Sequence, residues 1–443
     1  METKKMPLAR DPLGYLCGQR GIGGTLKQAP EDFVVEELPL YEPCGAGEHA
    51  YLWIEKQGLS TTEAVRRLCR TLGVMPPAAG YAGLKDVQAV TRQWVSLHGV
   101  DPDAAAGFAE RGLRVLVATR HRNKLRLGHL RGNRFTIRLG GVLPNQEPDL
   151  LAVVHTLHQR GVPNLFGPQR FGRHGNNQRV GRALLRGAWD EVWPALLSSA
   201  TRPDEQLEAA RRALREGRPE AALRALGHGQ REERTLLELL QRHGGDARRA
   251  AQALRHEHAW RYLTAYQSLL FNRCLARRLP AIDRLFDGDV AVKHVNGAAF
   301  HVEHPGAEED RLAAFAISPA GPLFGAKLLQ AAGEAARLEA EVLAGDEVRL
   351  EDFCGAICGV HLTGERRPYR VPLENWRHTW EQKEGEAGEG EGEGGESGMR
   401  RGGGAEAAAS WSLRVSFALP AGSFATAVLR EIMRTPDLDP PMT

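Results

Sequence analysis

Cysteine is scarce in this chain, with six among 443 residues, at positions 17, 44, 69, 274, 354 and 358. Only Cys354 and Cys358 come close together. Their C-x3-C spacing has no second pair or histidine pair beside it, so neither a zinc site nor a disulfide framework is expected, and reduced thiols are. Long apolar runs are missing too. None approaches the roughly 18 residues of a membrane span, and the opening METKKMPLARDPLGYLCGQRGIGG has no apolar core of signal-peptide length. A cytoplasmic protein off the membrane is the expectation. The glycines of GQRGIGG miss the G-x-G-x-x-G spacing, and no P-loop, H-E-x-x-H, Ser-His-Asp or Cys-His pattern is present. Lysine is rare as well: of 58 cationic residues, nine are lysine and 49 arginine.

What is present is a chain long enough for two domains, with 42% hydrophobic and 26% charged residues, ordinary for a globular protein. The formal charge of +3 hides an asymmetry. Residues 381–396, EQKEGEAGEGEGEGGE, hold seven glutamates and one lysine, a net of −6, so the remainder carries +9. Arginine grips phosphate with two prongs and stacks on bases, which suits an RNA partner; codon bias in an arginine-rich proteome accounts for the same count. Up to about residue 160, strand-like segments (DFVVEELPL, AYLWIEKQG, RQWVSL, RFTIRLGG) alternate with a helix, STTEAVRRLCRTLG. Ser60 and Glu63 can cap that helix and Gly73 can end it. An α+β domain follows from this alternation. From about 180 to 345 helical periodicity rich in Ala, Leu and Arg dominates, interrupted by the hairpin-like LFDGDVAVKHVNGAAFHVE. The closing SWSLRVSFALPAGSFATAVLREIM returns to strand character, a turn and an apolar helix, so one domain is expected to be inserted in another. The glutamate-glycine run has too few apolar residues to offset ordering entropy and reads as a mobile loop.

Four stretches carry chemistry. In GYAGLKDVQAVTRQWVSL, Asp86 is the only acid between residues 64 and 100. A lone carboxylate among cations stays ionised and suits nucleophilic or base chemistry at a sugar carbon, whereas glycoside hydrolysis needs a second carboxylate. A turn-capping aspartate is the plain alternative. Residues 120–138 hold seven Arg or Lys and no acid, which suits a phosphate backbone or a solvated charged face. GVPNLFGPQRFGRHGNN sets Asn164, Gln169, Arg170, Arg173 and Asn176 around Phe166 and Phe171. It reads equally as a base-contacting surface or as a glycine-rich turn with core phenylalanines. LPAGSFATAVLRE presents Ser423 and Phe424 before a helix.

Taken together, PEDFVVEE, YAGLKDVQAVTRQWVSL, GHLRGNRFTIRL, PNLFGPQRFGRHG and LPAGSFATAVLRE, in that order, resemble the TruD family of tRNA pseudouridine synthases. The resemblance implies a pseudouridine-synthase catalytic domain with a mixed, mostly antiparallel sheet, interrupted by a family-specific inserted α/β domain. The expected division is 1–158 and 411–443 for the catalytic domain, 159–372 for the insert and 373–410 for the acidic loop. The implied activity is isomerisation of uridine to pseudouridine in tRNA, typically at position 13 of a glutamate tRNA, by a monomer with no metal and no organic cofactor. Asp86 matches the catalytic aspartate, acting at C1′ as nucleophile or at C2′ as base. Phe33, Asn133, Phe135 and Phe424 match substrate-contacting positions, with Phe135 stacking on a flipped base. Lys27 matches the cation that pairs with the aspartate, with Lys85 as its rival. Arg131, Arg134, Arg170 and Arg173 are the expected RNA contacts. The glutamate-glycine run departs from the family, as do Val87 and Gln88, which stand where basic residues are frequent. An RNA-binding protein without turnover is the alternative from another class; an RNA N-glycosidase is disfavoured by the missing second carboxylate.

Overall fold

The computed structural model describes residues 13–26, 28–200, 203–383 and 410–442. Lys27 and residues 384–409, which include most of the acidic run, lie outside the described residues. Contacts divide the described chain into two compact units: residues 19–155 with 373–425, and residues 13–18 with 156–372 and 426–442.

The first unit is built on one sheet. Its main strands are β1 (Phe33–Pro39), β2 (His49–Lys56), β3 (Val90–His98), β4 (Leu113–His121), β5 (Leu130–Gly140), β6 (Glu374–Lys383) and β7 (Ser410–Pro420). They lie in the order β6-β7-β5-β1-β3-β2-β4. The β1–β3 pair is parallel and the others are antiparallel, so the sheet is mixed but mostly antiparallel, as the sequence implied. Successive side chains along a strand take opposite faces, and the two faces here differ in kind. On one, Ala50, Leu52, Ile54, Val95 and Leu97 pack against Ala64, Val65, Leu68 and Cys69 of α1 (Thr61–Thr71). On the other, Arg92 bridges Glu36 and Glu55, and Arg114 also reaches Glu55.

The punctuation of α1 follows its sequence closely. The Ser60 hydroxyl accepts the Glu63 N–H at 3.1 Å. At the other end Gly73 takes a φ of +68°, which lets the Val74 N–H reach the Cys69 carbonyl at 2.9 Å. Only half of the expected capping box forms, because the Glu63 carboxylate turns instead to Arg66 and Arg67.

The second unit centres on the helix His256–Arg278, buried along most of its length and packed against the helix Asn177–Leu185. Beside it lies a four-stranded sheet of Ala299–His301, Val290–Lys293, Ile317–Leu323 and Glu365–Pro368; its first two strands are the hairpin read from sequence. Buried ion pairs tie the unit together: Arg366 to Glu339 at 2.5 Å and Arg278 to Asp289 at 2.5 Å. Residues 13–18 and 426–442 join it through the helix Ala425–Met433. Arg430 donates to the Leu13 and Gly14 carbonyls, and Glu431 accepts the Leu16 and Cys17 N–H groups. The segment 411–443 is therefore shared, its strand with one unit and residues from 426 with the other. No helix among the described residues is long and apolar enough to cross a membrane, and the six cysteines form no disulfide.

Candidate active site

Asp86 lies on the loop 82–89, between the short strand Ala79–Tyr81 and β3, and it is exposed. Buried polar side chains hold this loop from beneath. Thr61, at the start of α1, accepts the Lys85 N–H at 3.0 Å and donates to Gln93 Oε1 at 2.9 Å. Gln93 Nε2 in turn donates to the Gly83 carbonyl at 3.1 Å. Lys56, 1% exposed at the end of β2, sends its ammonium to the carbonyls of Leu59 at 2.8 Å, Lys85 at 3.3 Å and Asp86 at 2.8 Å. The Gly58 N–H adds a bond to the Val87 carbonyl at 3.1 Å. Residues 83, 85, 86 and 87 are thus each fixed through the backbone, and the Asp86 side chain is exposed.

Burial pushes the Lys56 ammonium down to about 8, with the nearby Asp86 charge holding it up and Lys85 lowering it further. It is still a cation at neutral pH, a positive charge set beneath the carboxylate. Three carbonyl acceptors match its three N–H donors, so the charged form is well accommodated.

The Lys-Asp pair divides its labour. The Lys85 side chain is 4% exposed. Its ammonium sits 2.5 Å from Asn133 Oδ1 and 3.5 Å from Glu37 Oε2, and Glu37 Oε1 accepts the Trp94 N–H at 3.3 Å. Burial lowers Lys85 and raises Glu37, and each partner's charge partly reverses the other's shift. Lys85 is committed to Glu37 and Asn133, which argues against it as the cation of Asp86. Lys27 lies outside the described residues. Lys56 was missed in the sequence, yet a signal was there: in AYLWIEK it takes the alternate position that Ala50, Leu52 and Ile54 fill with apolar side chains. A lysine in that series must find buried acceptors.

The remaining candidates fall into three groups. Register sets Glu37 opposite Asn133, Val35 opposite Phe135 and Phe33 opposite Ile137, which places Asn133 and Phe135 on the face that carries Glu37. Phe33 and Phe135 are both buried, with ring centroids 6.4 Å apart, and Phe135 lies 5.6 Å from Phe417. Arg131 and Phe424 gather at the start of β5. The Ala421 N–H bonds the Arg131 carbonyl at 3.0 Å, bringing the turn 420–424 against residues 131–133. A Cβ on Gly132 would meet the Leu419 carbonyl at 2.2 Å, so only glycine permits this approach. Arg131 is exposed, and so is Phe424. Arg134, one residue from Asn133, belongs to the opposite face of the sheet, 3.9 Å from Glu36.

In the second unit, Arg170 is committed internally. Its Nε donates to Ser268 Oγ at 3.0 Å, its guanidinium lies over the Phe166 and Trp260 rings, and burial lowers its pKa. Arg173 is exposed and donates to the Gly229 carbonyl at 3.3 Å. Around them Asn164, Phe166 and Phe171 are buried. The phenylalanines and Asn164 of this stretch belong to the core, while Gln169 and Arg173 are exposed.

Among the described residues no group of three or more His, Cys, Asp or Glu could hold a metal ion. Residues 12–432 match the model of the family described as tRNA pseudouridine synthase D. A relative from Geobacter sulfurreducens named tRNA pseudouridine synthase D is 42% identical over 94% of this chain and 95% of its own length. One from Anaeromyxobacter dehalogenans with the same name is 39% identical over 94% of each. The crystal structure of a candidate tRNA pseudouridine synthase D of Methanosarcina mazei superimposes with a TM-score of 0.76 at 26% identity, covering 98% of this chain and 99% of that one.

Proposed function

This chain belongs to the tRNA pseudouridine synthase D family, and from that premise we propose that it isomerises uridine to pseudouridine in tRNA, at position 13 of a glutamate tRNA, with Asp86 as its catalytic carboxylate. The observation that carries the assignment is the one exposed acid on a loop whose backbone is fixed from below by Lys56, Thr61 and Gln93.

The target uridine leaves its stack, at a cost of a few kcal/mol. On one route the Asp86 carboxylate attacks C1′, and the C1′–N1 bond breaks with its electron pair going to uracil. The base turns, C5 attacks C1′ and releases the carboxylate, and the C5 proton is lost as N1 takes one up. On the other route Asp86 removes the C2′ proton, uracil departs, C5 adds back to C1′ as C2′ is reprotonated, and again the C5 proton is lost as N1 takes one up. Both routes conserve atoms and electrons, so an isomerisation can run on one carboxylate with no redox partner. Water exclusion protects the detached base in either case. Glu37, an acid linked to this loop through Lys85, is sealed by Lys85 and Trp94, which weighs against its serving as the second carboxylate of a hydrolytic N-glycosidase.

Asn133 then holds the loop through Lys85, Phe33 and Phe135 form the apolar floor of the base pocket, and Phe424 contacts the substrate from the turn. Arg131 and Arg173 have the exposure that phosphate contacts require. Arg170, through its internal partners, serves the fold first, and Arg134, though exposed, lies on the other face beside Glu36. Residues 19–155 with 373–425 supply the catalytic domain, and 156–372 the insert.

The test is incubation of the wild-type protein with unmodified tRNA transcripts, followed by chemical mapping of pseudouridine. Product at position 13 of a glutamate tRNA is expected. No product in any transcript would overturn the activity, and product elsewhere would overturn only the position.

A further inference from the structure

The first unit has a preformed cavity of about 440 Å³, lined by Tyr41, His121, Asn123, Lys124, Arg126 and His129. That volume falls within the roughly 300–1,000 Å³ typical of small-ligand sites. Its walls are tied together before any ligand arrives. Tyr41 stacks on His121 with centroids 5.1 Å apart and planes 17° apart. The Tyr41 hydroxyl meets His129 Nδ1 at 2.9 Å, and the Tyr51 hydroxyl donates to the Asn123 carbonyl at 2.9 Å. The Cys44 N–H donates to His121 Nδ1 at 3.2 Å, so a neutral ring carries its proton on Nε2. Burial and the Arg122 charge both lower the His121 pKa and favour that neutral donor.

Charge tells what the cavity lacks. No carboxylate lines it, and none occurs from residue 120 to residue 138. On the strands, Arg92, Arg114 and Arg138 each have a glutamate partner; among the described residues Lys124 and Arg126 have none. Two unmatched cations beside ring faces form a site for an anion attached to a flat group. The location is equally specific. Leu125, on the same connection between β4 and β5, packs with Tyr51 and Ala82, and the Gly128 N–H bonds the Ala82 carbonyl at 2.9 Å. The cavity wall is therefore joined to the root of the Asp86 loop.

We propose that this cavity holds one nucleotide of the substrate tRNA other than the target uridine, its phosphate on Lys124 and Arg126 and its base or ribose against the Tyr41 and His121 rings. The proposal rests on the tRNA reading above and adds a second anchor to it. Each contacted phosphate releases counterions, so log affinity falls with log salt by about 0.7–0.9 per contact.

The test is a salt titration of unmodified tRNA binding to the full chain, comparing the wild type, Lys124→Ala/Arg126→Ala and the charge-matched control Arg248→Ala/Arg249→Ala. The cavity variant should bind about tenfold more weakly near 150 mM salt and lose about one to two from the slope, with the control within twofold of wild type. Unchanged affinity in the cavity variant, or equal weakening in the control, would overturn the proposal. So would saturable binding of uridine 5′-monophosphate that depends on these residues while tRNA affinity does not. Should the Lys124 change disturb the loop through its bond to the Pro77 carbonyl, Arg126→Ala alone should reproduce about half of the slope change. Pseudouridine mapping with the wild type separates the two failures: product with an unaffected cavity variant removes only this site, and no product removes the activity itself.

Discussion

Two glycine-containing stretches, 80–93 and 161–177, look alike as sequence, each mixing glycine, basic residues, amides and aromatics. The structure uses them in opposite ways. In the first, buried side chains from β2, α1 and β3 reach up to backbone groups of the loop and leave Asp86 outside. In the second, Asn164 and Asn176 turn inward while Gln169 and Arg173 stay exposed. Asn164 gives its amide N–H to the Pro368 carbonyl at 3.0 Å and accepts from Arg367 at 2.6 Å. Arg367 lies 4.2 Å above Phe166, where burial pushes its pKa down to about 9. The lesson concerns the direction of hydrogen bonds. Where other elements satisfy a loop's backbone, its side chains are available for chemistry; where its side chains satisfy the backbone, they are not.

This contrast can be broken in graded ways. Short of changing Asp86 itself, the largest effect is expected from Lys56→Met, which removes the ammonium from three loop carbonyls while keeping the bulk of the side chain. Single-turnover pseudouridine formation should fall about 10–100-fold, the scale of a small misplacement of a reacting group. A rate within twofold of wild type would show that the loop holds itself.

Next comes Asn164→Ala, which removes a side-chain acceptor from the Arg367 guanidinium and a donor from the Pro368 carbonyl and should cost about 1–3 kcal/mol. Thermal melting should shift down by about 2–6 °C, with the single-turnover rate at 25 °C unchanged. A catalytic defect without a stability loss would return the second stretch to the active site.

A pH series sharpens the first half of the comparison. Burial makes the folded protein hold the Lys56 proton less tightly than the unfolded chain does, from about 8 against an ordinary 10.5. Between those values the unfolded state binds more protons, so wild-type stability relative to Lys56→Met should rise with pH. The gain should approach about 3 kcal/mol, read from denaturant midpoints. A flat or falling difference would mean that the three carbonyls keep the folded-state pKa at or above its ordinary value.

The smallest effect separates two arginines three residues apart. Arg131→Ala should weaken tRNA binding about threefold at moderate salt, about 0.7 kcal/mol. Arg134→Ala, on the other face beside Glu36, should stay within twofold. The reverse ranking would place the RNA on the charged face of the sheet.

Much of this was legible in advance because it is local. The Ser60 cap, the Gly73 stop and the alternation of β1 and β5 are written in neighbouring residues, and Asp86 stood out as a lone acid between 64 and 100. Sheet order was not legible, because pairing Ser410–Pro420 with Glu374–Lys383 on one side and with Leu130–Gly140 on the other depends on residues far apart in the chain. Lys56 escaped for a related reason: its three acceptors are carbonyls, which leave no trace in side-chain identity. Arg170 looked like an RNA contact because a cation beside a phenylalanine reads the same whether the ring is exposed or, as here, buried.

The most direct measurement is single-turnover pseudouridine formation by Asp86→Asn at enzyme concentrations that saturate an unmodified glutamate tRNA, with tRNA affinity measured in parallel. The amide keeps the shape and removes the charge, so product formation should fall below detection while affinity stays within about twofold of wild type. Pseudouridine formed at a rate near that of the wild type would contradict the assignment of chemistry to this carboxylate.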